Sequence, residues 1–213
     1  MIRSLIIAIG LLLLITGCDS KPAADIDYGT INNNVYSNKY FDISINLPDT
    51  WFVQSQAAQK ALMETGSNLI AGDDKTLKSV MKESEKQTVN LFSIFKYESG
   101  APVNFNPSII SVAERISHMP GIKRGSDYLF HARKLLESGQ MNYDFPNDLY
   151  TKEVSELSFD VMPAQITVNN ITVYQDYHVV KIKDYALALI LSYSSDSEKS
   201  ELDGILNELK FSK

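Results

Sequence analysis

The chain is poor in the residues that build most small catalytic and metal centres. It has one cysteine, three histidines and one tryptophan in 213 residues. A single cysteine excludes an intrachain disulfide and leaves no thiolate set for a structural zinc site. His118, His131 and His178 show neither H-x-x-x-H nor H-E-x-x-H spacing, so each reads as a solvated or hydrogen-bonded side chain rather than a ligand. G-x-S-x-G, P-loop and G-x-G-x-x-G sequences are missing, so no local motif supplies a nucleophile elbow or a phosphate cradle. The acidic stretch Asp144 to Asp148 lacks the ligand alternation of a calcium loop. No catalytic residue, no metal and no cofactor are expected. Basic residues are outnumbered and scattered, which argues against nucleic acid as a partner. No apolar run approaches the roughly 20 residues of a bilayer-crossing helix.

What is present at the N-terminus is a shorter run, Leu5 to Ile15, behind Arg3 and ahead of Thr16-Gly17-Cys18. A basic start, a short apolar stretch and small residues before a cut make a secretory signal. Ile15-Thr16-Gly17-Cys18 resembles the bacterial lipobox. The resemblance implies cleavage between Gly17 and Cys18, a lipid on the Cys18 sulfur, and attachment to a membrane through that lipid. Asp19 resembles a retention signal for an inner membrane facing the periplasm. Without residues 1–17, whose one charge is Arg3, the balance is 19 Lys+Arg against 26 Asp+Glu, a net of −7. Such a chain gains nothing electrostatically from an anionic bilayer, so the lipid must do the anchoring.

Residues 18–38 are polar and aperiodic and read as a flexible tether; residues 39–213 have the length of one domain. Tyr40 to Leu47 alternates apolar and polar as a half-buried strand does, and Pro48 turns the chain so that Trp51 packs on the sheet. Two helices are predicted next. The first, near 55–71, carries the stripe Ala57, Ala58, Ala61, Leu62 and Leu69; the second, near 75–83, carries Leu77, Val80 and Met81. Strands follow over 88–95 and 108–116, then a helix capped by Ser126 or Asp127 with Tyr128, Leu129, Ala132, Leu135 and Leu136 on one side. Strands over 157–168, 172–183 and 185–193 are joined by Asn169-Asn170 and Lys183-Asp184, which suits antiparallel hairpins. Ser195 and Glu198 frame a capping box for a last helix buried through Leu202, Ile205, Leu206 and Leu209. Helices on an antiparallel meander, without βαβ alternation, give an α+β class with a central antiparallel sheet flanked by helices.

Three segments carry a family resemblance: Tyr40-Phe41-x-Ile43-x-Ile45-x-Leu47-Pro48-x-x-Trp51, Leu191-Ser192-Tyr193-Ser194-Ser195, and Ile205 to Phe211. Together they resemble the PsbP-like superfamily, which includes a photosystem II extrinsic subunit, a Ran-binding import factor and many bacterial lipoproteins. The resemblance spans roughly residues 39–211, transfers no catalytic residue, and implies protein binding more often than catalysis. Tyr174, Tyr177, Tyr185 and Tyr193 all fall in the last hairpin and are the candidate interaction surface, with cross-strand packing as the rival role. The expectation is a non-enzymatic, membrane-anchored lipoprotein that binds an envelope protein. The rivals are a small-ligand binder, with an apolar pocket between the Leu62/Leu69 helix and the sheet, and a hydrolase whose Ser, His and Asp meet only in the fold.

Overall fold

The computed structural model describes residues 28–211; the signal segment, Gly17, Cys18 and Asp19 lie outside the described residues. The first element is a hairpin of β1 (Thr30–Asn32) and β2 (Val35–Asn38). Asn33 and Asn34 close it with φ of 49° and 60°, a pair of left-handed residues that suits the twist of a two-residue hairpin and that Asn tolerates. The tether expected over 18–38 is therefore corrected over 30–38. Polarity there reflects a turn and an exposed outer strand, while Tyr36 is fully buried.

β2 pairs with β3 (Ile43–Asn46), and β3 with the C-terminal β12 (Lys210–Phe211), giving a four-stranded sheet in the order β1-β2-β3-β12. The larger sheet runs β4 (Phe52–Val53), β5 (Thr88–Phe95), β6 (Ser108–Arg115), β11 (Tyr185–Tyr193), β10 (Ile171–Ile182), β9 (Leu157–Val168). β7 (Tyr143–Asp144) and β8 (Tyr150–Val154) share the outer edge of β9. Every pairing is antiparallel. The four helices are α1 (Gln56–Ala71), α2 (Lys75–Gln87), α3 (Gly125–Glu137) and α4 (Asp196–Leu206). The architecture is α+β, as the sequence predicts.

The large sheet separates two unlike layers. On one face the small sheet and α4 pack directly against it. Tyr36, Phe41, Ile43 and Ile45 meet Phe92, Ile94, Leu187 and Leu189, and Leu202, Ile205 and Leu206 seal the end. Trp51 joins this cluster, as predicted, and its Nε1 donates to Glu201 at 3.3 Å. A β-bulge in β5 between Asn90 and Phe92 helps, because the extra residue brings both Leu91 and Phe92 into the same core.

On the other face lie α1, α2 and α3. The helix predicted to be capped by Ser126 or Asp127 starts from Arg124 instead. Asp127 closes the cap from inside, its Oδ2 accepting from the backbone N–H groups of Lys123 and Arg124 at 2.9 and 3.1 Å. Asp160 on β9 accepts from Ser126 N at 2.8 Å, which ties the helix start to the sheet. Gly125 permits that approach, since a Cβ there would meet the Val179 carbonyl oxygen at 2.3 Å. At the other end Gln140 N donates to Ile70 O at 2.7 Å. Helix α3 is thus tied to β9 at its start and joined to α1 just beyond its end, and between these points the helices roof the sheet without filling the space.

Candidate functional site

A cavity of about 750 Å³ lies under the three helices, within the usual range for a small-molecule site. Its floor is the middle of the large sheet, where Val112, Val179, Ala188 and Ile190 present small or branched side chains. Leu129, Ala132 and Leu136 of α3 form one wall, and Met81 of α2 another. Helix α1 contributes Gln56, Lys60, Met63, Ser67 and Ile70, spaced three to four residues apart and hence on one face. Leu62 and Leu69 are 37% and 58% exposed. The pocket expected between this helix and the sheet is therefore present, but the two leucines do not line it: Met63 and Ile70, one position further along, face inward instead.

The most distinctive inward group is Glu114. It sits on β6, paired across the sheet with Thr88 and Ala186, and lines the cavity beside Val112. Its Oε2 accepts from the Tyr128 hydroxyl at 2.6 Å and its Oε1 from the Ser84 hydroxyl at 2.9 Å. Burial and the Glu114 charge both push the Tyr128 pKa well above its ordinary value, so this phenol remains a donor. On β10, toward the other end of the sheet, Gln175 Oε1 accepts from Tyr177 at 2.8 Å and Tyr143 at 3.1 Å, while its Nε2 donates to Ser192 at 3.1 Å. Sequence reasoning did not single out Glu114. The available signal was its phase: it lies at the same parity as Ile110 and Val112 in a strand dominated by Ile and Val.

The opposite face of the sheet holds a second polar cluster, enclosed by packing. Asp176 is 3% exposed and receives the Lys199 ammonium and, at 3.2 Å, the Tyr193 hydroxyl. Burial works against the Lys199 charge, but the hydrogen bond and charge of Asp176 outweigh it and raise its pKa. Lys152 of β8 pairs with Asp203 of α4 at 2.6 Å. His178 is fully buried here. Its Nδ1 lies 3.3 Å from the Asp176 carbonyl oxygen, and its Nε2 has no partner among the described residues. Burial first, then the Lys152 charge, lower its pKa to about 4, so the ring is neutral near pH 7. The Asp176 carboxylate is taken by Lys199 and Tyr193 rather than by this imidazole. His118 and His131 are exposed, and among the described residues no three His, Cys, Asp or Glu side chains group as a metal site.

The four tyrosines expected to form an interaction surface are not brought together. Tyr185 and Tyr193 are buried in the packed core, and Tyr177 points to the other side of the sheet and lines the cavity. Only Tyr174 is exposed, stacked on Tyr193 with ring centroids 5.6 Å apart. Cross-strand packing, the rival reading, describes that pair. The fault lies in strand parity: positions 174 and 177 of one strand face opposite ways.

No family model matches the sequence, and no curated protein matches it. Among solved structures, cyanobacterial PsbP (CyanoP) from Synechocystis aligns over 84% of this chain and 91% of its own, at 10% identity and a TM-score of 0.51. LpqN of Mycobacterium tuberculosis, a protein involved in cell envelope biogenesis, aligns over 80% and 83%, at 14% identity and a TM-score of 0.44. At such identities the likeness to the cyanobacterial protein bears on the fold alone: four helices on a large antiparallel sheet, in the PsbP-like arrangement.

Proposed function

We propose that the protein is a lipid-anchored bacterial envelope protein whose PsbP-like domain binds one apolar small ligand without turning it over. The observation that supports this reading is the cavity of about 750 Å³, in which Val112, Val179, Ala188 and Ile190 of the sheet face Leu129, Ala132 and Leu136 of α3. The envelope protein partner expected from the sequence has lost its tyrosine surface, so ligand binding becomes the favoured reading.

Tyr28, the first described residue, lines this cavity. The ten residues from Cys18 to Tyr28 reach at most about 35 Å when fully extended. A lipid on Cys18 would therefore keep the cavity close to the bilayer surface, where apolar ligands concentrate. Replacing Cys18 with Ser should abolish lipid labelling and release the protein from membranes; unchanged lipid incorporation would remove the anchor from the proposal. For the cavity, residues 19–213 suffice, because among the described residues every buried core residue lies within 36–209. The neutral dye N-phenylnaphthylamine should brighten on binding with a stoichiometry near one. Ala132→Trp, which fills the space under α3, should suppress the signal. No brightening in the unaltered domain would reject the ligand reading.

A further inference from the structure

We propose that the ligand of this cavity is a cationic amphiphile, an alkylammonium whose apolar body lies on the sheet and whose head reaches Glu114. The inference rests on the cavity reading above and adds the chemistry of the head group. Glu114 stands on a central strand, inside a largely aliphatic chamber. Its two oxygens are held by neutral hydroxyls, those of Ser84 and Tyr128, and no cation pairs with it among the described residues. Hydroxyl donors orient a carboxylate without neutralising it, and a half-buried charge lacking a counterion is costly. Each oxygen has a further lone pair, so an ammonium can be accepted without displacing either hydroxyl.

The remaining lining charges point the same way. Glu64, Glu85 and Glu114 face one lysine, Lys60, which is exposed and lies 3.9 Å from Glu64. A carboxylate or phosphate head would be a fourth negative charge in a chamber with one cation. An ammonium would find a carboxylate already oriented and the ring of Tyr128, whose hydroxyl holds that carboxylate, beside it, a surface that attracts cations. The high pKa of Tyr128 keeps that phenol protonated, so the Glu114 carboxylate is the acceptor left for the ligand.

Three probes share a chain and differ only in the head: dodecylamine, which is protonated at neutral pH, dodecanol and dodecanoate. Each is titrated below its micelle concentration into residues 19–213 by calorimetry and by dye displacement. The ammonium should bind at least about tenfold more tightly than the other two, as one added charged hydrogen bond allows. Glu114→Gln should bring the ammonium to within about threefold of the alcohol when both are measured on that variant. Ala132→Trp, or Met63→Trp should the first variant not fold, should abolish binding of all three with the net charge unaltered. Uptake from solution alone and uptake from phosphatidylcholine vesicles doped with the amine both support the proposal, and they distinguish a free amine from a bilayer one. Equal affinities, or a preference for dodecanoate, would overturn the cationic assignment and leave the apolar cavity standing. Ammonium binding that survives the filled cavity would reveal surface attraction and overturn it as well. Binding of none of the three would remove the cavity reading with it.

Discussion

The two faces of the large sheet come from the same strands and are finished in opposite ways. On the face toward the small sheet, Phe92, Ile94, Leu187, Leu189 and Leu191 are almost wholly inaccessible, and the charges that intrude, Asp176 and Lys199, are paired with each other and joined by the Tyr193 hydroxyl. On the face toward α1, α2 and α3, the same strands carry Val112, Ala188 and Val179, which are buried with Leu129 and Leu136 yet border the cavity, and the Glu114 carboxylate stands beside Val112. One residue separates the two environments along each strand, because neighbouring side chains alternate between faces. The packed face holds the domain together. The roofed face is left incomplete, and dense packing on one side lets the other carry an unfilled volume at tolerable cost.

If that division is right, truncation should cost far more on one side than on the other. Phe92 is fully buried, its ring centroid 4.8 Å from that of Tyr36. Phe92→Ala should destabilise the domain by about 3–5 kcal/mol in urea unfolding, the range for a deleted core aromatic. Leu129 is equally buried but borders the cavity. Leu129→Ala adds to an existing space and leaves fewer contacts to lose, so about 2 kcal/mol is expected, the low end for leucine truncation. A Leu129 cost equal to that of Phe92 would mean that the roofed face carries as much of the stability.

A second test uses pH and addresses the packed face alone. The unfolded chain protonates its histidines near the ordinary value of 6.5, whereas His178 in the fold takes up a proton only near pH 4. Between those values the unfolded state binds more protons, so stability falls as the solution is acidified and levels off below about pH 4. The loss attributable to this one ring is up to about 3 kcal/mol. His178→Leu should flatten the stability profile over that window relative to the unaltered domain. Dye binding in the cavity should stay constant down to pH 5, since the ring faces the other way. A parallel loss of dye binding in the unaltered domain alone would show the two faces to be coupled.

Legibility in the sequence follows the same division. The strands over 88–95, 108–115, 157–168, 171–182 and 185–193 are readable because a sheet covered on both faces is written in dense Ile, Leu, Val and Ala. Asn169-Asn170 is legible as a hairpin between two such strands, whereas Asn33-Asn34 makes a turn of the same hand between strands too short and polar to announce themselves. The edge strand Tyr150–Val154 was hidden by its charged residues, Lys152 and Glu153, which suit an edge. The PsbP-like fold was legible from the opening and closing motifs. A pocket between α1 and the sheet could be anticipated, but not its lining, because a void has no residue of its own and its inward polar group looks like any charge near a strand end.

The smallest expected effect is also the one that most directly opposes pattern to structure. By hydrophobicity, Leu62 and Leu69 are the residues of α1 that ought to face inward. They are exposed, while Met63 and Ile70, one position further along, line the cavity. A leucine already in water loses little transfer free energy on truncation, and the helix propensity of serine costs only a few tenths of a kcal/mol more. Leu62→Ser and Leu69→Ser should therefore each change stability by no more than about 0.5 kcal/mol, the usual bound for surface positions. They should also leave dye affinity unaltered. Met63→Ser and Ile70→Ser remove apolar wall, and each should weaken the dye severalfold at similar stability. The four variants separate rotation of the helix from its presence, since all keep the helix and differ only in the face they alter. Weaker dye binding in Leu62→Ser than in Met63→Ser would turn the leucine stripe inward. The roof would then be a packed layer, and the contrast between the two faces of the sheet would shrink to a difference of degree.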